Sequence, residues 1–204
     1  MSPAALDVAP DWVRWYVDQA NGTRRDWFVL PPSGVLYAYP GMMPPDVQDR
    51  FVALTEAAAE RLDTDATVSW EFIGTWPSAL KKFYPKYAAR GVVRSIFAVN
   101  VPYLFPVAPF GRSDDFIIVG DGVVVFRPNE VRGTSGGGPW TKPPNELAAE
   151  ISAWPRGTVR ALYVTSDGGE DLAAVYETIG ALGDHVEVVD HRTLADMAFS
   201  RGPD

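Results

Sequence analysis

The side chains able to do chemistry are few, and they are scattered along the chain. The histidines are His185 and His191, each following an aspartate, Asp184 and Asp190. A histidine beside a carboxylate at the end of a strand is a reasonable general base, so His191 with Asp190 forms one candidate acid/base pair. The histidines are six positions apart, which fits no zinc motif, and neighbours on a strand point to opposite faces. No metal is therefore expected. Glu71 is the other candidate catalytic group. It lies between Trp70 and Phe72 and close to Trp76. Aromatic enclosure would raise its pKa by disfavouring the charged form.

Other residues suggest binding. Lys81, Lys82, Lys86, Arg90 and Arg94 concentrate positive charge in an acidic chain of net charge -8. Arg94 could pair with an anionic group, although a solvated helix face is the simpler account of the cluster. The run Gly133-Thr-Ser-Gly-Gly-Gly138 could cradle a ligand with its backbone amides, chiefly at Gly136 and Gly137. Its spacing fits neither the Walker nor the dinucleotide pattern, and a surface loop or lid is the plainer account. Ser166-Asp-Gly-Gly-Glu-Asp171 would repel phosphate and reads more simply as a helix start. Residues 100–112 combine three prolines with aromatics such as Tyr103, and read as an apolar loop that covers a core edge or lines a pocket.

The elements that would position these groups are mixed α/β. Thr67 to Phe72 alternates, with Val68, Trp70 and Phe72 on an expected buried face and Thr67, Ser69 and Glu71 on a polar one. Trp76-Pro77-Ser78 opens a helix that Gly91 ends, and Pro85 inside it predicts a kink or a break. Val92 to Val99 is the next strand. Asp121-Gly122 between two β-branched runs predicts an antiparallel hairpin over about 116–126. Trp27–Leu30, Val35–Tyr39, Thr158–Thr165 and His185–Asp190 are further strand candidates. Pro10–Gly22, Pro44–Leu62, Glu146–Trp154 and Leu172–Leu182 are helix candidates, the second with an apolar stripe of Val47, Phe51, Leu54, Ala58 and Leu62. Ser166 or Asp167 would cap the helix at 172, and Thr193 and Asp196 a closing helix. The expected fold is a mixed, mostly parallel sheet with helices on both faces and that hairpin. A single domain over 1–204 is expected, with residues 133–145 the place for a subdivision.

Composition limits the function classes. Hydrophobic residues make up 47% of the 204, enough for a large core. The acidic balance argues against a nucleic-acid interface. With no cysteine there is no disulfide, thiol nucleophile or Cys-based zinc site. No signal peptide and no span-length apolar run is evident, so a cytoplasmic protein away from membranes is expected.

Ala79-Leu-Lys-Lys-Phe-Tyr-Pro-Lys-Tyr-Ala-Ala-Arg-Gly-Val-Val-Arg-Ser-Ile-Phe resembles the helix, Arg-Gly and strand of phospholipase D-like domains, closest to the sensor halves of TrmB-type regulators. The hairpin Asp114 to Phe126 is similar to the strand pair that carries their His-x-Lys-x4-Asp motif. Asp121 occupies the aspartate place, but Asp114 and Phe116 stand where the histidine and lysine would be. The resemblance implies a degenerate copy, over about 67–130, that senses a small molecule or pairs with another subunit, without phosphodiesterase activity.

The reading that unites these features is a ligand-binding or partner-binding module with no cofactor. Its partner would be a small, partly apolar or anionic molecule or another protein, and a homodimer is admitted. Trp70, Trp76, Arg94, Tyr103, Gly136 and Gly137 would form its pocket. One alternative is a small enzyme using His191 with Asp190, or Glu71. Another is an assembly protein whose aromatic loops are contact surfaces.

Overall fold

The computed structural model describes residues 1–100, 115–132, 142–165 and 170–202. In chain order the elements are α1 (Ala5–Val8), α2 (Pro10–Thr23), a 3-10 turn (Pro40–Met42), α3 (Pro45–Arg61) and β1 (Ala66–Glu71). A second 3-10 turn (Ile73–Thr75), α4 (Trp76–Ser78), a π-helical turn (Ala79–Phe83) and α5 (Pro85–Ala88) follow. Then come β2 (Ser95–Asn100), β3 (Phe116–Val119), β4 (Val123–Phe126), β5 (Asn129–Arg132), α6 (Pro144–Ser152), β6 (Leu162–Thr165), α7 (Glu170–Gly180) and α8 (His191–Arg201). The chain divides into two compact units, Met1–Arg127 with Asp190–Asp204, and Pro128–Val189.

The first unit holds a mixed, mostly parallel sheet in the order β1-β2-β4-β3, with helices covering its faces. β1 and β2 run parallel, Ala66 opposite Ser95 and Glu71 opposite Asn100. β2 and β4 are also parallel, while β3 and β4 form the expected antiparallel hairpin. Gly120 and Asp121 occupy the centre of its turn with φ of 56° and 59°, the positive values that primed hairpin turns require. All four residues of β4 are buried, as in a strand covered on both sides.

The free edge of β1 is closed by the segment before α3, without a regular strand. The Leu30 amide donates to the Ala66 carbonyl (2.9 Å), and the Val68 amide donates to the Leu30 carbonyl (3.1 Å). Further along, the Trp70 amide donates to the Ser33 hydroxyl (2.8 Å), which itself donates to the Ala38 carbonyl (2.8 Å). The expected strands Trp27–Leu30 and Val35–Tyr39 are thus reduced to one bridge and a series of bends. Pro31 and Pro32 have no amide proton to give, so a side-chain oxygen takes over the ladder.

β1 is buried on both sides at first: Val68 is buried as expected, and the polar side is buried with it. Thr67, Ser69 and Glu71 are fully buried, whereas Trp70 is half-buried and Phe72 is exposed. The inward polar groups are matched; the Tyr84 hydroxyl donates to Ser69 Oγ (3.0 Å). In α3 the inward face is likewise shifted, with Gln48, Thr55 and Glu56 buried beside Phe51, Val52, Ala58 and Ala59, and with Val47 and Leu54 exposed. Glu56 explains the inversion, because its carboxyl accepts the Val92 and Val93 amides (2.9 and 3.0 Å). These bonds occupy residues read as strand, and β2 therefore starts later, at Ser95.

Pro85 breaks its helix by way of the π-helical turn, where the Tyr84 amide donates to the Ala79 carbonyl (2.9 Å). The wider turn accommodates a proline that would collide with a regular helix. Phe83, Tyr84 and Tyr87 follow it into the core, with ring centroids 5.4 and 5.5 Å from Phe83 to the two tyrosines.

In the second unit β5 and β6 pair in parallel, and Leu147 and Ile151 of α6 pack with Trp154, Val164, Leu182 and Val186. His185–Asp190 forms no strand. On α7, Leu172 and Ile179 face out and Thr178 is buried. The caps expected at Ser166 or Asp167 lie outside the described residues. Among the described residues no helix is long and apolar enough to cross a membrane.

The Ser33 hydroxyl accepts the Trp70 amide at the free edge of β1. Ser33→Ala leaves that donor unsatisfied and should cost about 1–3 kcal/mol in denaturant unfolding. An unchanged midpoint would show that the hydroxyl is dispensable.

Candidate functional site at the carboxyl end of β1

A parallel sheet separates its two ends, and the proposed site residues fall at both. Asp65 precedes β1 and Glu71 ends it. Six residue steps at about 3.3 Å each place them roughly 20 Å apart. Arg94 and His191 belong to the Asp65 end; Trp70, Glu71 and Trp76 belong to the other.

At the amino end, His191 Nε2 lies 3.0 Å from Asp65 Oδ1, and Arg192 Nε lies 3.8 Å from the same oxygen. Burial would raise the Asp65 pKa, but His191, Arg192 and Arg94 outweigh it and hold the carboxyl below its usual value. Arg94 donates to Asp196 Oδ1 (2.8 Å) and lies over the Phe199 ring. Asp190 is the N-cap of α8, where it accepts the Arg192 and Thr193 amides and the Thr193 hydroxyl. It therefore fills the cap place expected of Thr193 or Asp196, and His191 has Asp65 as its carboxylate neighbour. This cluster fastens α8 to the first unit.

The carboxyl end is different. Glu71 is wholly buried. The Gly41 amide donates to Oε1 (2.7 Å), and the Thr75 hydroxyl lies 2.8 Å from Oε2. Burial, opposed by the Gly41 amide, pushes its pKa up to about 7. The approach of the Gly41 turn admits no side chain there, since a Cβ on Gly41 would sit 2.6 Å from Oε2. Buried Gln48 of α3 fixes the same turn by donating to the Pro40 carbonyl (2.9 Å). Gly34 is held just as closely, with φ of 129° and room for a Cβ only 2.6 Å from Thr55 Oγ1.

The same end of β1 carries a shelf of aromatic rings. Tyr37 is 57% exposed, and its ring meets Trp70 edge-on at 5.0 Å and Tyr39 at 6.2 Å. Phe72, two residues beyond Trp70 on the same side of the extended chain, is 49% exposed. Trp76 instead belongs to the core, 3% exposed and 6.5 Å from the Tyr84 ring. Tyr103, Gly136 and Gly137 lie outside the described residues. Sequence reasoning missed Ser33, Gly41, Gln48, Thr75 and the Tyr37–Tyr39 pair. The available signal was two glycines, Gly34 and Gly41, bracketing Tyr-Ala-Tyr-Pro. Among the described residues no group of three or more His, Asp or Glu side chains could hold a metal ion.

Comparison with known proteins agrees on this region. Residues 1–106, more than half of the chain, match the family described as "GxGYxYP putative glycoside hydrolase C-terminal domain". The heptapeptide in that description reads onto Gly34–Pro40, with Gly34, Tyr37, Tyr39 and Pro40 in place and Leu36 where the second glycine would stand. A solved structure titled as a "putative hydrolase from Bacteroides thetaiotaomicron VPI-5482" superposes with a TM-score of 0.74 at 20% identity, covering 97% of this chain and 37% of that one. That likeness is one of fold, and this chain spans well under half of that protein. No curated protein matches this chain. The resemblance to phospholipase D-like domains and TrmB-type sensors is corrected by these matches, neither of which points there. Asp121, assigned the motif aspartate, serves as a left-handed turn residue.

Two measurements test the two ends. Between the unfolded value of 4.5 and the folded value of about 7, native Glu71 keeps a proton that the unfolded chain has lost. Stability should therefore fall as pH rises through that window, by at most about 3 kcal/mol, and level off above it. Glu71→Gln should abolish this slope, which urea unfolding at several pH values would reveal. At the other end, Asp190→Ala should cost about 1 kcal/mol through the lost cap, with Asp190→Asn retaining most of the stability.

Proposed function

The chain belongs to the GxGYxYP C-terminal domain family, and from that premise we propose that it recognises carbohydrate on the aromatic shelf at the carboxyl end of β1. The observation that carries this reading is the exposure of Tyr37 and Phe72 beside Trp70 and Tyr39, at the sheet end where α/β folds bind ligands. Exposed rings on a rigid support offer flat apolar faces with little ordering entropy to lose, which suits the C–H faces of a pyranose. Glu71 anchors the turn that follows Tyr39 through the Gly41 amide, and so holds the segment that carries Tyr37 and Tyr39.

A hydrolytic reading has one observation in its favour. A carboxyl with a pKa of about 7 is poised as a general acid. Glycoside hydrolysis commonly uses two carboxyl groups flanking the bond. Glu71 is sealed from solvent, and burial, Thr75 and Gly41 account for its pKa without a neighbouring acid. Recognition is therefore the primary reading for this chain, and catalysis would require a second carboxyl outside the geometry described.

Isothermal calorimetry against cello-, xylo-, manno- and chitohexaose tests the proposal. At least one should bind, and Tyr37→Ala should weaken it roughly three- to ten-fold, the range expected of one aromatic contact. The reading fails if no sugar in the panel binds, or if Tyr37→Ala binds as tightly as the parent.

A further inference from the structure

The hydroxyl of Thr75 lies 2.8 Å from Glu71 Oε2 and also 2.8 Å from the carbonyl oxygen of Phe72. A hydroxyl has one proton to donate, and a carbonyl oxygen has none. One proton can serve both oxygens only as a shared, weaker three-centre bond, whereas a proton on Glu71 lets each contact be a full hydrogen bond.

We infer that Glu71 is a carboxylic acid whose Oε2–H donates to Thr75 Oγ while Thr75 donates to the Phe72 carbonyl, and that this proton chain makes the aromatic shelf pH-sensitive. Thr75 is then the positioning residue that holds the neutral form. The geometry is consistent on every side. Oε1 accepts the Gly41 amide, and the Phe72 carbonyl receives both the hydroxyl and the amide of Thr75 (2.8 Å). One carboxyl thereby ties the turn that follows Tyr39 to the strand end that carries Trp70 and Phe72.

Among the described residues, the ionisable groups around Glu71 do not supply a counter-charge. From the helical stretch after Thr75, Tyr84 and Tyr87 face it, both buried and both pushed up by that burial, so both are neutral. Tyr84 is engaged with Ser69 Oγ. Glu56 of α3 acts on Tyr87 and is bound to the Val92 and Val93 amides. The turn at 39–43 carries Tyr39 as its one ionisable side chain, and β2 and the turn Ile73–Thr75 carry none. When Glu71 ionises, the Thr75 proton must turn toward the carboxylate and the hydroxyl link to Phe72 is lost.

The effect on affinity rests on the carbohydrate reading; the proton chain does not. Selective carboxyl carbon-13 labelling of glutamate, followed by NMR titration, tests the chain directly. If Thr75 accepts from the acid, Thr75→Val removes support for the neutral form and the Glu71 midpoint falls, and Thr75→Ser restores it. If Thr75 instead donates to a carboxylate, the midpoint rises in Thr75→Val; a rise or no change overturns the inference. Should Thr75→Val fail to fold, the parent protein still decides, since an ionised Glu71 resonance at pH 5.5 also overturns it. Sugar affinity should fall as pH passes the measured midpoint, and a flat profile removes the link to the shelf. If no sugar binds at any pH, the carbohydrate reading fails while the titration still decides the proton chain.

Discussion

The free edge of β1 is the constraint on which the candidate site depends. A strand edge has amides and carbonyls that must be paired or covered. Here the covering segment includes Pro31 and Pro32, which have no donors. One backbone bridge at Leu30 and the Ser33 hydroxyl meet the requirement instead. This solution brings residues 34–41 over the carboxyl end of β1. Gly34 and Gly41 permit the close approach, and Gln48 and Glu71 hold the returning turn. The aromatic shelf is a consequence, because Tyr37 and Tyr39 lie on the stretch between the two glycines.

The interior of this unit is unusually polar where its parts meet. Glu56 accepts two backbone amides, Glu71 accepts one, and Ser69 receives the Tyr84 hydroxyl. Each group fixes a loop or a strand end against α3 or the helical stretch after Thr75. Buried polar groups of this kind are acceptable only when matched, and once matched they specify one arrangement. Glu71 combines two roles. It is a tie between elements, and it is the group at the carboxyl end whose charge burial disfavours.

Much of the architecture could be read before any coordinates. Pro at a helix start, Gly91 at a helix end, and Gly120-Asp121-Gly122 between β-branched runs are local signals with local causes. What failed were inferences that equated apolar with buried. Val47 and Leu54 on α3 and Phe72 after β1 are exposed, and Gln48, Thr55, Glu56 and Glu71 are buried. Two amides offset part of the penalty for burying the Glu56 carboxyl, although burial still pushes its pKa up, and no spacing rule anticipates such a partner 37 residues away. The separation of Glu71 from Arg94 and His191 was hidden for a similar reason. Pattern identifies strands but says little of which end of the sheet a residue will occupy.

The sequence alone determined the main helices, the strand at 67–71, the hairpin, the break at Pro85 and the candidacy of Glu71, because each follows from residues within a few positions of one another. Only tertiary structure decided that Gly41 and Thr75 would close on Glu71, that Ser33 would stand in for a strand, and that Asp190 would cap a helix. Those outcomes depend on which donor meets which acceptor across long stretches of chain. That choice is made by the packing of the whole unit, since a buried polar group must find its partner wherever the fold brings one.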